Sequence, residues 1–353
     1  MSRVSAAALT ELAAALLAGA GLAARHAACY AEKILAADLL GHGSHGIRLL
    51  PRSLDELQRG DLARDGDLEV VADHGPSLLV DGRMLPGPVV VVHAVERALA
   101  RMATHGTVVV SIRRAGHIAA LCTYLEMATS RGLMMLIVSS NPWARLVAPF
   151  GGVKPVYSPN PIAFGFPTPG DPVLMDFSTA TIAANAVQEY RARGEALPGR
   201  YLLDADGRPT DDPRALSGDR PGSILPLGGA DLGHKGFGLG LMVEALTAGL
   251  SGYGRSSAPP TTNNAVFVMI LDPQAFAGRD ALLGETGGLV QACRAAAGAG
   301  RAVRLPGERA LAHRRRALLE GIEVAEPLRA ELLRRASALG VAPPAALAVA
   351  APC

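Results

Sequence analysis

The stretch GHGSHG, residues 41–46, matches the dinucleotide-binding pattern G-x-G-x-x-G at all three of its glycines. In that pattern the glycines follow a buried strand and open a helix, so that a bound pyrophosphate meets the N-terminus of the helix. Here the residues before the glycines repeat at helical spacing, with Tyr30, Ile34 and Ala37 on one face. Because a helix precedes the glycines, the sequence predicts a fold other than the Rossmann fold.

The composition is that of a folded chain with nearly balanced charge. Its 353 residues carry 34 Lys and Arg against 32 Asp and Glu, a formal net charge of +2. A dedicated nucleic-acid binder needs a large basic excess, so we expect no nucleic-acid partner. Hydrophobic residues make up 49% and aromatic residues only 4%, so a core of Ala, Val and Leu is expected.

Cysteine usage and the N-terminus both favour a cytoplasmic protein. The four cysteines show no CxxC pairing, which argues against a disulfide scaffold or a zinc ribbon. The apolar residues 12–24 could be part of a signal peptide, but Leu9, Leu12 and Leu16 stand at helical spacing and favour an ordinary amphipathic helix. No apolar run is long enough to span a bilayer, so no membrane association is expected.

Beyond the glycine-rich stretch the pattern becomes that of an α/β protein. A helix is predicted from Leu49 to Arg59, and strands and further helices then alternate. The predicted strands are Ser77–Val80, Thr107–Ile112, Leu133–Ser139, Val173–Phe177 and Ala265–Leu271, and the predicted helices are Val89–Thr104, Ala119–Arg131, Phe237–Leu250, Ala310–Leu319 and Pro327–Leu339.

This pattern divides the chain into two parts. Residues 1–70 form a helical segment that is expected to pack with the C-terminal helices of residues 300–353. Residues 71–299 form an α/β body, in which residues 198–229 are so rich in Gly, Pro and Asp that one long ordered loop is predicted.

Ser44 and His45 lie in the glycine-bounded stretch, and Arg48 and Arg52 follow them closely. A histidine in a polar turn can transfer protons near neutral pH. Guanidinium groups beside it can bind a carboxylate through two hydrogen bonds. The alternative is a helix-capping turn with solvated arginines, and the spacing leaves both readings open.

Two further residues stand at the ends of predicted strands, where ligands gather in α/β proteins. His117, in RRAGHIAA, follows the strand Thr107–Ile112. It is a candidate acid/base, with a core or capping histidine as the alternative. Asp176 ends another strand; it could orient a histidine, bind a ribose, or cap the helix that begins after it.

The stretch GHKGFGLG, residues 233–240, predicts a lysine, Lys235, in a glycine-lined helix N-terminus, a natural site for a phosphate or carboxylate. It is not a Walker A motif, because Gly236 stands where Ser or Thr is required. No pair of histidines at i,i+4 and no EF-hand pattern occurs, so no metal site is predicted.

Taken together, nine segments in order resemble the malate/L-lactate dehydrogenase family, which also includes ureidoglycolate, sulfolactate and diketogulonate dehydrogenases and a piperideine-2-carboxylate reductase. The variants GHGSHGI and GHKGF are most similar to its hydroxycarboxylate dehydrogenase B branch. The segments are GHGSHGI (41–47), Gly116–His117, VAPFGG (147–152), NPIAFGFPT (160–168), MDFSTA (175–180), LLDADGRPTDDP (202–213), GHKGFGL (233–239), ALTAGLSG (245–252) and RLPGER (304–309).

The resemblance implies a non-Rossmann NAD(P)-binding fold and a homodimer with active sites near the subunit interface. It implies that the acid/base is one of two histidines, His117 or His45, and that Ser44 belongs to the same motif as His45. We expect Asp176 to complete the catalytic set, and Ser44, Arg48 and Arg52 to bind the substrate. The cofactor, NAD or NADP, would contact Ser140, Met175, Asp176, Phe177, Ser178, Thr179, Ala180, Thr181, His234, Lys235, Pro306, Gly307 and Glu308.

Three positions depart from the family pattern. Leu49 replaces an arginine, Ser158–Pro159 replaces Gly-Thr, and Asn185–Ala186 replaces Gly-Lys. Such changes in a pocket can alter the substrate, change the choice between NAD and NADP, or weaken catalysis.

The expected function is therefore NAD(P)-dependent interconversion of a 2-oxo acid and a 2-hydroxy acid. Hydride would move between the nicotinamide and substrate C2 while a histidine handles the proton. The alternative within enzymes is reduction of a cyclic imine carboxylate, with the proton delivered to nitrogen. The alternative outside enzymes is a ligand-binding homologue that has lost turnover.

Overall fold

A seven-stranded mixed sheet forms the centre of the computed structural model, which describes residues 2–257, 263–298 and 300–348. Only β3 and β4 run parallel, and every other neighbouring pair is antiparallel. In spatial order the strands are β2 (Glu69–Asp73), β3 (Ser77–Asp81), β4 (Thr107–Ala115), β11 (Asn264–Leu271), β5 (Met134–Ser140), β6 (Ile162–Phe166) and β7 (Val173–Phe177).

The central strands are rich in β-branched residues, and each face of the sheet is covered. On β11, Val268 lies opposite Val110 on one side and Ile137 on the other, and all three are fully buried. These residues face α4 (Gly87–Arg101) and α5 (Cys122–Thr129). Because side chains alternate along a strand, Val138 and Phe267 point to the opposite face.

On that opposite face lies α7 (Gly229–Glu244), which continues as a π-helical turn over Ala245–Gly249. The sequence predicted this helix to begin only at Phe237, eight residues too late. The error arises from the glycines in the first turns of the helix, which have low helix propensity but are required by close packing. A Cβ on Gly236 would lie 2.4 Å from the backbone of Leu227, and one on Gly240 would lie 2.8 Å from the Tyr157 ring.

The terminal segments build a second hydrophobic core. It joins buried residues of α1 (Ala6–Gly19), α2 (Ala24–Leu39), α3 (Leu50–Arg59) and α10 (Glu326–Leu339), and includes Leu9, Leu12 and Leu16. A strand that the sequence analysis did not predict, β1 (Ser2–Val4), pairs with β12 (Ile322–Val324). The remaining C-terminal helices are α9 (Glu308–Glu320) and α11 (Ala345–Ala348).

Residues 198–229, predicted as one loop, contain a small sheet. Its strands are β10 (Ser223–Ile224), β8 (Leu202–Leu203) and β9 (Pro209–Thr210), in that spatial order. A third cluster of buried residues lies between this region and a helix that the sequence analysis missed, α6 (Ala184–Arg193). A second missed helix is α8 (Arg279–Ala295).

None of the described helices is both long and apolar enough to cross a bilayer. Of the cysteines, Cys29, Cys122 and Cys293 are free thiols, while Cys353 lies outside the described residues.

Candidate active site

A cavity of about 420 Å³ opens where α2, β4, β5, β7 and α6 end or begin. It brings together side chains from six separate parts of the chain. Its lining comprises His42, Ser44, His45, His117, Ile118, Ala119, Ala120, Leu121, Ser139, Ser140, Asn141, Ala144, Leu146, Ser158, Pro159, Asn160, Pro161, Asp176, Phe177, Ser178, Ala183, Ala184, Asn185 and Asn264.

Asp38, near the end of α2, holds the turn that carries Ser44 and His45 in place. The Asp38 carboxylate accepts a hydrogen bond of 2.6 Å from the Ile47 backbone N–H. A Cβ on Gly46 would lie only 2.2 Å from that carboxylate, so glycine is required there. Burial raises the pKa of Asp38 to about 7, although the hydrogen bond from Ile47 and the charge of Arg48 oppose the shift.

His45 is placed between a hydroxyl and a second imidazole. Its Nδ1 lies 2.9 Å from Ser44 Oγ. Its ring stacks on that of His117, with centroids 5.8 Å apart and an interplanar angle of 28°. Burial lowers the pKa of His45, and the nearby carboxylate of Asp176 opposes that shift. His45 is therefore mostly neutral at physiological pH.

His117 lies two residues beyond the end of β4, which continues past the predicted end at Ile112 to Ala115. The backbone of residues 116–117 passes so close to α4 that a Cβ on Gly87 would lie 2.3 Å from the Gly116 carbonyl. The Ala119 N–H donates to His117 Nδ1 at 3.2 Å, which places the proton of the neutral ring on Nε2. Burial, together with the neighbouring His45 and the charge of Arg52, lowers the pKa of His117 to about 3.

Asp176 ends β7 and reaches across to α5, where its Oδ2 accepts a hydrogen bond of 2.9 Å from the Cys122 N–H. It therefore lies at the start of a neighbouring helix. The alternative that it caps the helix following its own strand was wrong, because that helix begins only at Ala184. The ligand atoms of His42, Cys122 and Asp176 lie within 4.8 Å of one another. Burial and the charge of Asp176 raise the pKa of the Cys122 thiol.

A second cavity, of about 430 Å³, adjoins the first and shares His42, Asp176 and Phe177 with it. It lies at the start of α9, where Gly307 has a φ of +91° and a Cβ there would contact Leu174 at 3.0 Å. The other lining residues are Leu40, Cys122, Met175, Arg304, Leu305, Pro306, Arg309 and Ala310. Two arginines at a helix N-terminus make this cavity suited to an anionic group.

The two cavities contain many of the residues predicted to contact a cofactor. Ser140 lines the first cavity and its hydroxyl lies 2.7 Å from Thr247 Oγ1. Ser178 also lines it and donates to the Pro159 carbonyl at 2.9 Å. Thr179, Ala180 and Thr181 line neither cavity. The two threonine hydroxyls instead donate to backbone carbonyls and fix the segment after β7.

Glu308 faces a smaller neighbouring cavity of about 180 Å³. It accepts hydrogen bonds from Arg294 at 2.7 Å and from the Leu305 N–H at 3.0 Å. The hydrogen bond from Arg294 is the main reason why the pKa of Glu308 is lowered. Glu308 therefore holds the loop before α9 in place.

Four further predicted site residues also lie outside the cavities. Arg48 pairs with Glu189 at 3.1 Å and Arg52 with Glu56 at 2.8 Å, and about half of each arginine side chain is exposed. His234 and Lys235 are exposed on α7. Because α7 begins at Gly229, Lys235 lies in its second turn, and the prediction of a lysine at a helix N-terminus was wrong.

The three departures from the family pattern have distinct surroundings. Leu49 is buried in the core of the terminal helices. The Pro159 carbonyl accepts the Thr179 N–H at 3.0 Å, so it organises the segment after β7. Asn185 is exposed and lines the first cavity, whereas its neighbour Ala186 does not.

Several lining residues were missed by the sequence analysis, notably His42 and Asn160. Asn160 has a φ of +43°, and its amide donates to the Gly240 carbonyl at 3.1 Å and to Glu244 at 2.9 Å. Asparagine tolerates positive φ better than most residues. The only sequence signal of an unusual backbone at this position was the proline that follows Asn160. His42 lay within the quoted GHGSHG stretch but was not singled out.

Comparisons with known proteins define the class to which the chain belongs. Residues 4–333 match the family described as malate/L-lactate dehydrogenase. The L-lactate dehydrogenase of Cupriavidus necator is 31% identical over 98% of this chain and 100% of its own. The L-sulfolactate dehydrogenase of Methanothermobacter thermautotrophicus is 31% identical over 88% and 89% of the two chains.

Two further comparisons broaden this result. A Δ1-pyrroline-2-carboxylate/Δ1-piperideine-2-carboxylate reductase of Pseudomonas syringae pv. tomato is 31% identical over 84% of this chain and 85% of its own. The solved structure of a putative malate/lactate dehydrogenase from E. coli superposes with a TM-score of 0.88, at 26% identity, over 97% and 96% of the chains. The chain belongs to the malate/L-lactate dehydrogenase family, whose chemistry implies a nicotinamide cofactor.

Proposed function

We propose that this enzyme interconverts a 2-oxo acid and a 2-hydroxy acid with NAD or NADP. The observation that carries the proposal is the stacked pair His45 and His117 in the wall of a cavity that continues into a second, arginine-bearing cavity. The first cavity would hold the reacting groups, and the second the phosphate-bearing part of the cofactor.

The residues present fit a dinucleotide. Two adjoining cavities joined by a shared wall suit an elongated ligand, and Arg304 and Arg309 supply positive charge where phosphates need it. Met175, Phe177, Pro306 and the side-chain-free Gly307 would hold the cofactor. When bound, it supplies or accepts the hydride at substrate C2. The helix before the glycine-rich turn and the antiparallel strands support a non-Rossmann binding mode.

His117 is the proposed acid/base. In hydroxy acid oxidation it would accept the hydroxyl proton on Nδ1, which must release the Ala119 N–H to do so, as hydride leaves C2. In the reverse direction it would return that proton to the oxygen. Its pKa is low in the free cavity, and a bound carboxylate would raise it, because an opposite charge favours the imidazolium. Ser44 and His45 would align the substrate beside it, and Asp176 would favour the protonated form of His45.

Arg48 and Arg52 are proposed to act on the substrate carboxylate from outside the cavity. Arg52 is close enough for its charge to influence His117. Each arginine is engaged with a glutamate, Glu189 or Glu56, so direct contact with substrate requires one of these pairs to open.

A homodimer is the proposed assembly, in the cytoplasm. Exposed apolar side chains concentrate along α7 and the turn after it, including Leu232, Leu241 and Leu250. His234 and Lys235 lie on the same helix, so their predicted cofactor contact is proposed to occur across the dimer interface. We further propose that residues 1–70 and 300–353 form one unit and residues 71–299 the cofactor-binding body, a division that the separate terminal core supports.

The test is to mix the enzyme with NADH or NADPH and a panel of 2-oxo acids and cyclic imine carboxylates, and to follow the loss of reduced-nicotinamide absorbance. Turnover of 2-oxo acids supports the proposal. The imine reductase among the relatives makes imine reduction the second candidate, and exclusive turnover of imines would favour it. Saturable binding of either cofactor without any turnover would favour a ligand-binding homologue.

A further inference from the structure

The first cavity is polar but carries no built-in cation. Among the described residues that line it, none is Lys or Arg. These described residues include five serines, four asparagines and three histidines, and the one charged side chain among them is the carboxylate of Asp176.

The two arginines proposed to act on the substrate do not change this balance. Arg48 is paired with Glu189 and Arg52 with Glu56, so each brings a negative charge with it. Burial keeps His45 and His117 mostly neutral in the free enzyme. The electrostatic environment can accommodate one anionic group, whose charge would favour protonation of one ring of the histidine pair.

From this charge distribution we infer that the enzyme selects 2-oxo acids whose side chain is uncharged and discriminates against dianions. The inference rests on the proposed function and specifies its substrate class. Asn141, Asn160, Asn185 and Asn264 offer neutral donors and acceptors, and Ile118, Leu121 and Leu146 add apolar wall. Such a lining suits an amide, hydroxyl or alkyl side chain.

The physical reason for this preference is the free-energy cost of burying a charged group that has no oppositely charged partner. A second carboxylate or a sulfonate would leave water and find no cation in the described wall, next to the carboxylate of Asp176. A neutral group of the same shape would exchange its water hydrogen bonds for those of serine and asparagine. We therefore expect kcat/KM to differ by about 100-fold or more between matched neutral and anionic substrates.

The experiment compares substrates of matched carbon chain length whose side chains are either anionic or uncharged. Oxaloacetate is compared with its neutral amide, 2-oxosuccinamate, and 2-oxoglutarate with 2-oxovalerate, under saturating reduced cofactor. The expected result is a kcat/KM that favours the neutral member of each pair by about 100-fold or more. Equal or better turnover of the dianions would overturn the inference.

A charge-insertion variant tests the cause. Asn185 is exposed in the first turn of α6 and lines the cavity, so Asn185→Lys places a cation at the wall with little risk to the fold. This variant should reduce the preference for neutral substrates at least tenfold. Gln188, exposed on the same helix but not lining the cavity, provides the matched control, and Gln188→Lys should leave the preference unchanged.

The outcomes distinguish a failure of the proposed function from a failure of the inferred charge selectivity. An absence of turnover with every 2-oxo acid would overturn the proposed function, and the selectivity with it. Turnover of both classes at similar efficiency would overturn the selectivity alone. If the preference exists but Asn185→Lys and Gln188→Lys shift it equally, the charge of the cavity wall is not its cause, and the inference fails.

Discussion

The rings of His45 and His117 lie stacked, with centroids 5.8 Å apart and planes inclined by 28°. At this distance a proton on one ring disfavours a proton on the other. Ser44 holds the first ring through Nδ1, and the Ala119 N–H holds the second. The protonation of the two rings is therefore coupled, and each ring has a separate partner that fixes its orientation.

The two histidines should contribute differently to catalysis. His117→Ala should lower kcat by about 10²–10⁴-fold, the usual contribution of a general acid/base. Cofactor affinity, measured by fluorescence titration, should stay nearly unchanged, because the proton moves only in the transition state. His45→Ala should instead raise KM more than it lowers kcat, as expected for a ground-state contact.

The reverse pattern would exchange the two roles. Losses of only a few-fold in both variants, on a confirmed substrate, would contradict the histidine mechanism. Circular dichroism of each variant controls for folding.

Asp38 and Gly46 should be coupled through their direct contact below the active-site turn. A Cβ at residue 46 would lie 2.2 Å from the Asp38 carboxylate, whereas one at Gly43 would lie 3.7 Å from it. Gly46→Ala must therefore displace the turn that carries Ser44 and His45 and should lower kcat/KM at least tenfold. Gly43→Ala should be nearly neutral, and similar kinetics for the two variants would rule out this steric account.

The buried carboxyl of Asp38 should make stability depend on pH. Its pKa is raised from 3.8 to about 7 in the folded protein, so the unfolded chain loses this proton at lower pH than the folded one. The stabilisation is fully present below about pH 4 and is lost as pH rises to about 7, at most about 4 kcal/mol.

Asp38→Asn should remove that component, because the amide oxygen can still accept the Ile47 N–H. Urea unfolding at pH 5 and pH 8 would measure it. The variant should lose less stability than the wild type between the two pH values. An identical pH dependence in the two proteins would show that Asp38 is ionised in the same way folded and unfolded.

The exposed apolar face of α7 should mediate self-association. Leu241 and Leu250 are 51% and 58% exposed, and an obligate dimer usually buries more than about 2,000 Å². Leu241→Glu combined with Leu250→Glu should give a monomer by light scattering. Leu319→Glu, at an 88% exposed position on α9, is the control. A wild-type protein that is monomeric at micromolar concentration would contradict the proposal.

The sequence was most informative where the hydrophobic period was uninterrupted. Strands β4, β5 and β11 and the terminal helices were predicted within a few residues of their observed bounds. The misses were elements whose local signal is weak. Strand β6 contains Gly165 and follows Pro161, α8 contains Gly287 and Gly288, and the start of α7 is masked by glycines that only tertiary packing explains.

The candidate site was harder to predict, because contacts between residues far apart in the sequence leave no pattern in the residues around them. The sequence identified His45 and His117 separately, but nothing in the spacing indicated that their rings stack. The reach of Asp176 to Cys122 is likewise tertiary, since 54 residues separate them. The positions of Arg48 and Lys235 outside the cavities were not predictable either, because they depend on Glu189 and on where α7 begins.

The most direct test of the central claim follows the hydride itself. NADH and NADPH deuterated at the transferring position of C4 would be incubated with the enzyme and a neutral 2-oxo acid, and the product analysed by mass spectrometry. We predict one deuterium at C2 of the 2-hydroxy acid, with formation slowed in His117→Ala by the factor given above. A 2-hydroxy acid product without deuterium, or no product with either cofactor, would contradict the account.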